Sequence, residues 1–367
     1  MTTYLLAGGG TAGHVNPLLA VADMISSQEP DATVLVLGTR EGLEARLVPE
    51  RGYELVTVPR VPFPRRLNRA AVLFLSRFSG AVSGVSDVIR DRGVDVVVGF
   101  GGYVATPAYL AARRAGIPIV IHEANAKPGL ANRLGARFTS RVGVAFPGTP
   151  IRHAHPVGMP LRPEIERLDR AAAREAALAF FALDAARPVL LVTGGSLGAR
   201  RINATVLDSA ATLVQAGWQI LHITGTRSEV PDPGMEHYHQ IAYCDRMDLA
   251  LACADFAVSR AGAATVSELC ALGIPAAYVP YPVGNGEQRF NAVDVVRVGG
   301  GLLVADEDFS PTWIGGVLLP LLDDPDGVVR MGGAARSVGV LDGSARMYAL
   351  IRDAREAGPV HAVAGRA

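Results

Sequence analysis

The amino-acid sequence predicts an α/β protein made of two doubly wound domains. Short runs of valine, leucine and isoleucine alternate with longer segments rich in alanine, leucine and arginine, a pattern typical of parallel sheets covered by helices on both faces. Two such series follow one another in 367 residues, which is about the length of two domains. The two halves also resemble each other, since LLAGGGTAGHVN at 5–16 is similar to LLVTGGSLGARRIN at 190–203.

Apolar runs predict six strands in each half. The first six are 4–7, 33–37, 55–58, 94–98, 117–121 and 141–145. The second six are 188–192, 219–223, 239–242, 256–259, 276–279 and 301–304. The proline-rich stretch HPVGMPLRPEIERL at 155–168 places the junction between them. We expect domains at 1–160 and 161–340, followed by a C-terminal helix and tail at 341–367.

Charge and composition exclude several classes of function. The chain has 35 Lys and Arg against 35 Asp and Glu, so its net charge of zero argues against a dedicated nucleic-acid-binding protein. Cys244, Cys253 and Cys270 lack metal-type spacing and predict buried thiols in a reducing compartment. The N-terminal segment lacks the pattern of a signal peptide, and glycine, proline, histidine or asparagine interrupts the uncharged stretches. We therefore expect a cytosolic protein with at most peripheral membrane contact.

Three glycine-rich segments follow predicted strands: GGGTAGH at 8–14, GFGGY at 99–103 and GGSLGAR at 194–200. Glycine lets the backbone approach a ligand closely, and a helix N-terminus offers unpaired N–H groups that suit a phosphate. One such segment is as readily a turn without a ligand. Three of them at the carboxyl ends of strands, spread over two domains, favour ligand binding.

A dinucleotide-binding dehydrogenase is the weaker alternative. Residues 8–13 fit the G-x-G-x-x-G fingerprint, which also requires an acidic residue at the end of the second strand. Leu37-Gly38-Thr39-Arg40 stands there instead. In addition, no set of residues suited to hydride transfer stands out.

A further candidate site follows the predicted strand 256–259. In SRAGAATVSE at 259–268, Gly262 allows a turn and small residues open a helix whose N-terminus suits a diphosphate. We expect Glu268 in the first helical turn, where it either binds ribose hydroxyls or only complements the helix dipole. Gln288 and Asn291, in GEQRFN at 286–291, are candidates for sugar binding or solvated surface groups. The acidic cluster at 323–326 is expected to be a solvated turn, and no essential metal is predicted.

The ordered motifs resemble the MurG family. GGGTAGHVNP, GFGGYVATPA, HEANAKPGLANR, VGMPLRPEI, GGSLGARRIN, SRAGAATVSELCALGIPAAYVPYP and GEQRFNA occur in the order and spacing of this family of bacterial N-acetylglucosaminyltransferases. The resemblance implies the GT-B fold, with two Rossmann-like domains and an interdomain cleft, and no cofactor. It implies transfer of N-acetylglucosamine from UDP-N-acetylglucosamine to the C4 hydroxyl of the muramoyl sugar of lipid I. The product would be lipid II, formed with inversion at the anomeric carbon.

The resemblance also assigns site residues. The substrate-binding residues would be Thr11, Ala12, Gly13, Asn125, Arg162, Ser196, Cys244, Ala263, Ala264, Thr265, Val266, Ser267, Glu268 and Gln288. Ala12 and Ala124 depart from the glycine and glutamine that the family often has. The general base is His14 or Glu123, and the sequence leaves this choice open; His14 could instead cap the helix or bind phosphate. Backbone N–H groups, a helix dipole and Arg162 could stabilise the leaving diphosphate in place of a metal.

The segment PRRLNRAAVLFLSRFSGAV at 64–82 combines basic and apolar residues. The basic ones are Arg65, Arg66, Arg69 and Arg77, and the apolar ones are Val72, Leu73, Phe74, Leu75 and Phe78. It suits either the surface of an anionic membrane or an ordinary core helix. A lipid-linked acceptor favours peripheral binding at the cytoplasmic face. Proteins of cell-wall synthesis or division are further expected partners. The alternatives are a GT-B transferase with another lipid acceptor and a non-catalytic scaffold.

Overall fold

The computed structural model describes residues 1–61, 69–195, 199–282 and 286–358, without the side chains of 69–73. The chain forms two compact units. The first contains Met1–Arg162 and the residues from Asp342 onward, and the second is Pro163–Leu341. Each unit holds one parallel sheet, which confirms the prediction of two doubly wound α/β domains.

The first unit is built on seven parallel strands. They are β1 (Thr3–Gly8), β2 (Thr33–Gly38), β3 (Glu54–Thr57), β4 (Val96–Gly101), β5 (Ile119–Glu123), β6 (Val142–Val144) and β7 (Ala154–Pro156). Their order across the sheet is β3-β2-β1-β4-β5-β6-β7. The helices between them are α1 (Ala12–Gln28), α2 (Glu44–Glu50), α3 (Arg69–Asp91), α4 (Ala105–Ala115) and α5 (Leu130–Gly135). Every residue of β1 is buried, because a parallel sheet is covered on both faces.

The second unit repeats this construction with six parallel strands. They are β8 (Val189–Thr193), β9 (Gln219–Ile223), β10 (Tyr238–Ile241), β11 (Phe256–Ser259), β12 (Ala276–Tyr278) and β13 (Gly301–Leu303), in the order β10-β9-β8-β11-β12-β13. The longer helices are α7 (Arg170–Phe180), α8 (Arg200–Asp208), α10 (Met247–Cys253), α11 (Ala263–Leu272) and α16 (Pro325–Ser337). The shorter ones are α6 (Pro163–Glu166), α9 (Ala210–Gln215), α12 (Glu287–Asn291), α13 (Val293–Arg297), α14 (Pro311–Trp313) and α15 (Leu319–Leu322), with a π-helical segment at Ile314–Leu318.

The last helix, α17 (Gly343–Ala357), belongs to the first unit. Met347 and Ile351 are fully buried in the core that α1 and β1 share. Arg355 pairs with the carboxylate of Glu29 at 2.8 Å. Burial opposes ionisation of Glu29, but hydrogen bonds from Tyr348, Tyr4 and Arg355 lower its pKa. The C-terminal helix is therefore an integral part of the first unit.

Two expectations about strands are corrected by the structure. The strand β7 was not predicted, because its three residues are exposed and form no apolar run. The glycine segment at 99–103 was expected to follow its strand. Gly99 and Gly101 instead lie inside β4, which runs to Gly101.

The membrane-binding prediction falls partly outside the described residues, which include neither Arg65 nor Arg66 and none of the side chains of Arg69, Val72 and Leu73. In the rest of α3, Phe78 packs on the core and stacks on Phe74, with ring centroids 5.4 Å apart. Leu75 is 71% exposed and Arg77 is also exposed. No helix among the described residues is long and apolar enough to cross a membrane.

The cysteines and the acidic cluster also differ from expectation in detail. Cys253 and Cys270 are buried, and burial raises the pKa of each thiol to about 12. Cys244 is only half-buried and lies in the irregular segment between β10 and α10. In the acidic cluster, Asp324 is the N-cap of α16 and accepts a hydrogen bond from the Gly327 N–H at 2.9 Å. That carboxylate therefore has a defined structural role rather than being simply solvated.

Candidate functional site

The predicted glycine-rich loops lie where the strand order changes direction. In the first unit this point is between β1 and β4, which are followed by the loop at 9–11 and by Gly102. In the second unit it is between β8 and β11, which are followed by Gly194 and Gly195 and by the loop at 260–262. Ligands of open α/β sheets bind beyond the carboxyl ends of the strands at such switch points. Each unit thus presents one candidate binding edge.

In the first unit, the glycine loop encloses a carboxylate of the protein itself. Glu44 is fully buried and accepts hydrogen bonds from the Gly10 N–H at 2.9 Å and from the N–H and hydroxyl of Thr39 at 2.9 and 2.8 Å. Burial alone would raise the pKa of Glu44, but these hydrogen bonds lower it. We expected the N–H groups of this loop to bind a phosphate. The Gly10 N–H instead binds a carboxylate of the protein itself.

His14 lies in the first turn of α1, which begins at Ala12. Its Nδ1 is 3.2 Å from the carbonyl oxygen of Gly9 and 3.4 Å from the hydroxyl of Thr11. A carbonyl only accepts hydrogen bonds, so Nδ1 carries the proton and Nε2 carries the lone pair. Nε2 faces Gly101, where a Cβ atom would lie 3.1 Å away. The loop thus presents an imidazole in the tautomer that can take up a proton at Nε2.

Glu123 ends β5 and is almost fully buried. Its carboxylate accepts hydrogen bonds from the Asn125 N–H at 2.9 Å, the Gly129 N–H at 3.0 Å and the Asn132 side-chain amide at 2.9 Å. Both oxygens are therefore engaged in holding the loop at 124–129. This geometry fits an anchor for Asn125 better than a proton acceptor.

A buried tyrosine supports this anchor. The hydroxyl of Tyr109 donates a hydrogen bond to Asn132 at 2.7 Å, and the Asn132 amide in turn donates to Glu123. Gly99 and Gly135 pack against the Tyr109 ring so closely that a Cβ at either position would overlap it. Gly99 is thus explained by packing rather than by a ligand.

A cavity of about 70 Å³ opens beside the first loop. Among the residues that line it are Gly10, Glu41, Arg60 and Tyr103. The Arg60 guanidinium lies 4.9 Å from the centre of the Tyr103 ring, within the range of a cation–π contact. Sequence reasoning missed Arg60, which follows a predicted strand without a recognisable motif.

In the second unit, α11 begins at Ala263 with Gly262 as its N-cap. Glu268 is the sixth helical residue and so lies in the second turn, which corrects the expectation that it lies in the first. Thr265 and Glu268 are half-buried and, three positions apart, share one face of the helix. The whole of α11 is described, and its first turn contains no acidic residue. The first turn of α1 lacks an acidic residue as well, so the carboxylate at the first loop is supplied by another helix, α2.

The loop after β12 is held by Arg260. Its guanidinium donates to the carbonyl oxygens of Val279 and Pro280 at 3.1 and 3.2 Å and pairs with Asp306 at 2.5 Å. It also lies 5.6 Å from the centre of the Tyr281 ring. Sequence reasoning missed this role of Arg260 and Asp306, because a pair 46 residues apart leaves no local pattern.

Gln288 and Asn291 on α12 connect two loops. The side-chain oxygen of Gln288 accepts a hydrogen bond from the Tyr281 N–H at 2.8 Å. Asn291 is 1% exposed and donates to the carbonyl oxygen of Ala261 at 3.1 Å, so it is not a solvated surface group. These contacts fix α12 against the loop that precedes α11.

The remaining predicted residues are distributed over both units. Thr11, Ala12 and Gly13 lie with His14 at the start of α1. Arg162 is half-buried at the end of the first unit's main segment. Ser196 lies outside the described residues. Within the described ranges, no group of three or more histidine, cysteine, aspartate or glutamate side chains is arranged to hold a metal ion.

The two parallel sheets, with candidate binding loops at their switch points, are consistent with the families that the sequence matches. Residues 4–144 match the glycosyltransferase family 28 N-terminal domain, and residues 189–346 match the glycosyltransferase family 28 C-terminal domain. The protein is thus a hexosyltransferase with the GT-B architecture, as the resemblance implied.

Individual relatives narrow this class. The chain is 66% identical over 352 residues to the UDP-N-acetylglucosamine–N-acetylmuramyl-(pentapeptide) pyrophosphoryl-undecaprenol N-acetylglucosamine transferase of Leifsonia xyli subsp. xyli, covering 96% of this chain and 98% of the relative. It is 61% identical to the transferase of the same name from Clavibacter michiganensis subsp. michiganensis, over the full length of both. The crystal structure of Acinetobacter baumannii MurG superposes with a TM-score of 0.77 at 27% identity, covering 96% of this chain and all of that one. The chain belongs to this family of N-acetylglucosamine transferases, which confirms the prediction made from the ordered motifs.

Proposed function

We propose that the protein transfers N-acetylglucosamine from UDP-N-acetylglucosamine to the C4 hydroxyl of the muramoyl sugar of lipid I, giving lipid II. The names of its relatives support this donor and this acceptor, and the match extends over nearly the full chain. For the chemistry, the proposal rests on His14, whose Nδ1 lies against the Gly9 carbonyl so that Nε2 is left as the proton acceptor.

The reaction is a single displacement with inversion. The acceptor oxygen attacks the anomeric carbon from the face opposite UDP, the new glycosidic bond forms, and the bond from that carbon to the diphosphate oxygen breaks. The hydroxyl proton passes to Nε2 of His14, and the electron pair of the broken bond leaves on UDP. The N-terminus of α11, with Arg162, stabilises the negative charge that develops on the diphosphate.

His14 is the base in this proposal, and Glu123 is a positioning residue. Three hydrogen bonds already engage both oxygens of the Glu123 carboxylate, and two of its donors belong to the backbone of the loop that carries Asn125. A proton acceptor needs a lone pair directed at the reacting hydroxyl. Glu123 therefore acts by holding Asn125, which contacts the transferred sugar.

The donor is assigned mainly to the second unit. The helix start of α11 suits the diphosphate, since its first turn carries no acidic residue of its own, and Glu268 accepts hydrogen bonds from the ribose hydroxyls. Gln288 contacts the sugar. Its side chain is held in place by the hydrogen bond that it accepts from the Tyr281 N–H. The other proposed contacts are Thr11, Ala12, Gly13, Ser196, Cys244, Ala263, Ala264, Thr265, Val266 and Ser267.

The test is transfer of labelled N-acetylglucosamine from the UDP sugar to a lipid I analogue in the presence of EDTA. A polyprenyl diphosphate carrying a different sugar serves as the comparison acceptor. Product with the lipid I analogue, and little with the comparison acceptor, supports the proposal. Preference for the comparison acceptor would identify a GT-B transferase with another lipid acceptor. Donor binding without any transfer would point to the non-catalytic scaffold, and loss of transfer with EDTA would show a metal requirement.

We also propose that the protein binds the cytoplasmic face of the membrane peripherally through the segment 64–82. The exposure of Leu75 and Arg77 on α3 supports this, because exposed apolar and cationic side chains on one helix suit the boundary of anionic headgroups. Arg77→Gln should weaken binding to phosphatidylglycerol vesicles by about fivefold, the equivalent of about 1 kcal/mol per cation.

Arg90→Gln is the matched control for this measurement. Arg90 is an exposed arginine near the C-terminal end of the same helix, paired there with Asp87 and Asp91. Arg90→Gln should bind phosphatidylglycerol vesicles as well as the wild type does. Both proteins should bind purely zwitterionic vesicles weakly. Equal losses for Arg77→Gln and Arg90→Gln would contradict the assignment of the membrane contact to the segment 64–82.

A further inference from the structure

A closed pocket for one carboxylate lies behind the first glycine loop. Glu44 begins α2 and no part of it is exposed. Gly9, Gly38 and Gly42 pack directly on its side chain, and a Cβ atom at any of the three would overlap it. Three separate glycines therefore make room for this side chain. Such a close fit is unusual for a residue that only begins a seven-residue surface helix.

The two oxygens of the Glu44 carboxylate have different hydrogen-bond donors. One carboxylate oxygen, Oε1, accepts both the N–H and the hydroxyl of Thr39, and the other, Oε2, accepts the Gly10 N–H. Gly10 has a φ of +90°, a backbone conformation that the bond to Glu44 helps to hold. A negative charge is thus fixed at the turn of the loop, out of contact with solvent.

The same peptide group connects this charge to His14. The N–H of Gly10 and the carbonyl of Gly9 belong to one planar peptide unit, and they point in opposite directions. The N–H meets Glu44 at 2.9 Å, and the carbonyl meets Nδ1 of His14 at 3.2 Å. Hydrogen bonds in series polarise one another in a buried environment, so the carboxylate makes the carbonyl a stronger acceptor.

We propose that Glu44 is the positioning residue for His14, acting through the Gly9–Gly10 peptide group. Its carboxylate orients and polarises this peptide, and the carbonyl then keeps the proton on Nδ1 and the lone pair on Nε2. This proposal rests on the assignment of His14 as the base in the proposed function. In many enzymes a carboxylate accepts a hydrogen bond directly from the catalytic histidine. Here the carboxylate would have the same effect through one peptide group.

Glu44→Gln tests this directly. The amide keeps the shape of the side chain but loses the charge and places N–H groups where the pocket needs an acceptor. We expect kcat to fall by about 10²-fold, the scale of effect of a small misplacement of a reacting group. The KM for UDP-N-acetylglucosamine should change much less than kcat, because the donor is assigned mainly to the second unit. Glu44→Asp keeps the charge and should recover part of kcat.

Glu29→Gln is the matched control. Glu29 is also a carboxylate of the first unit that accepts hydrogen bonds from several donors, here Tyr4, Tyr348 and Arg355. Its loss should lower the thermal stability of the protein to a similar degree and leave kcat unchanged. Equal losses of kcat in Glu44→Gln and Glu29→Gln would reduce Glu44 to a structural residue and overturn the proposal.

A second measurement does not depend on activity. In protein labelled with ¹⁵N-histidine, at alkaline pH where imidazole is neutral, the ¹⁵N shifts of His14 report which nitrogen carries the proton. The wild-type protein and Glu29→Gln should show the proton on Nδ1, and Glu44→Gln should move a fraction of it to Nε2. An unchanged proton distribution in Glu44→Gln would overturn the proposal. If His14→Ala retains turnover, the assignment of the base fails instead, and the shifts still show whether Glu44 controls His14.

Discussion

The two units are built alike up to the carboxyl ends of their strands and differ in what lies there. In the first, the loop after β1 binds the carboxylate of Glu44, and the first turn of the following helix carries His14. In the second, α11 begins after Gly262 without an acidic residue in its first turn. One strand–glycine–helix construction thus binds a carboxylate of the protein itself, and the other is the one proposed to bind the diphosphate of the donor. A glycine-rich turn by itself therefore does not identify a phosphate site.

A similar contrast appears in the buried polar networks. In the first unit, Tyr109 and Asn132 support Glu123, at the loop where substrate is proposed to bind. In the second unit, Tyr238 bonds to His222 at 2.6 Å, and His222 bonds to Asn203 at 3.1 Å. Asn203 then donates to a backbone carbonyl at the end of β9. Only the first network leads to a group assigned to the reaction.

The largest effect is expected from removing the base. His14→Ala should lower kcat by about 10²- to 10⁴-fold, the usual contribution of general base catalysis, with little change in UDP binding. Steady-state kinetics and calorimetric titration with UDP measure the two quantities. His155→Ala, at an exposed histidine of β7, is the control and should leave both unchanged. Full activity in His14→Ala would remove the functional contrast between the loops.

Acid should destabilise each unit through a deeply buried histidine, His122 in the first and His222 in the second. Burial lowers the pKa of His122 and of His222 to about 4, below the ordinary value of 6.5. Between these values the unfolded chain binds protons that the folded chain does not, so stability is full above pH 6.5 and falls as the pH drops towards 4. Each histidine accounts for about 3 kcal/mol. Hydrogen exchange at the amides of β5 and β9, followed from pH 7.5 to 4.5, reports each unit separately.

His222→Gln sharpens this measurement. The variant should remove most of the pH dependence between 4.5 and 6.5 from the β9 amides and leave that of the β5 amides intact. Loss of the pH dependence in both places would show that the two units do not unfold independently.

A smaller effect is expected at α11, where Glu268 is proposed to bind the ribose of the donor. Glu268→Ala should weaken UDP binding by about 10²-fold, because hydrogen bonds to a charged group contribute about 1.5–3 kcal/mol. Titration with UDP and with uridine monophosphate measures the loss. Glu175→Ala, at an exposed glutamate of α7, should bind both as the wild type does. A loss of turnover without a loss of UDP affinity would move Glu268 away from the nucleotide.

The smallest effect is expected from the two tyrosines. Tyr109→Phe and Tyr238→Phe each remove one buried hydroxyl and should each cost about 1–2 kcal/mol of stability. Only Tyr109→Phe should also lower kcat, by about fivefold or less, because its network leads to Glu123. Chemical denaturation and steady-state assays of both variants provide the comparison. A similar fall in kcat for Tyr238→Phe would contradict it.

The sequence predicted the sheets well because their strands are buried on both faces and form nearly continuous apolar runs, as Val189–Thr193 and Thr33–Gly38 show. It failed for β7, an exposed edge strand. It also misplaced Glu268 by a turn, because the small residues after Gly262 carry no side-chain cap that marks where the helix begins.

The candidate site was predictable where its residues are close in the chain, as around His14. The pocket of Glu44 was not, because it joins Gly9, Gly38 and Gly42 with a helix more than 30 residues away from the first loop. From the neighbouring residues alone, these glycines predict only turns. Contacts of this kind arise only when β1 and β2 lie side by side.

The position of α17 has a consequence for biosynthesis. A ribosome releases the strands of the first unit early, but the helix that covers Tyr4 and Leu18 comes from the last residues of the described chain. The second unit is complete in the nascent chain before the first one can be. The first unit therefore begins to emerge first but completes its core last. The apolar face that α17 covers stays exposed while the second unit is translated.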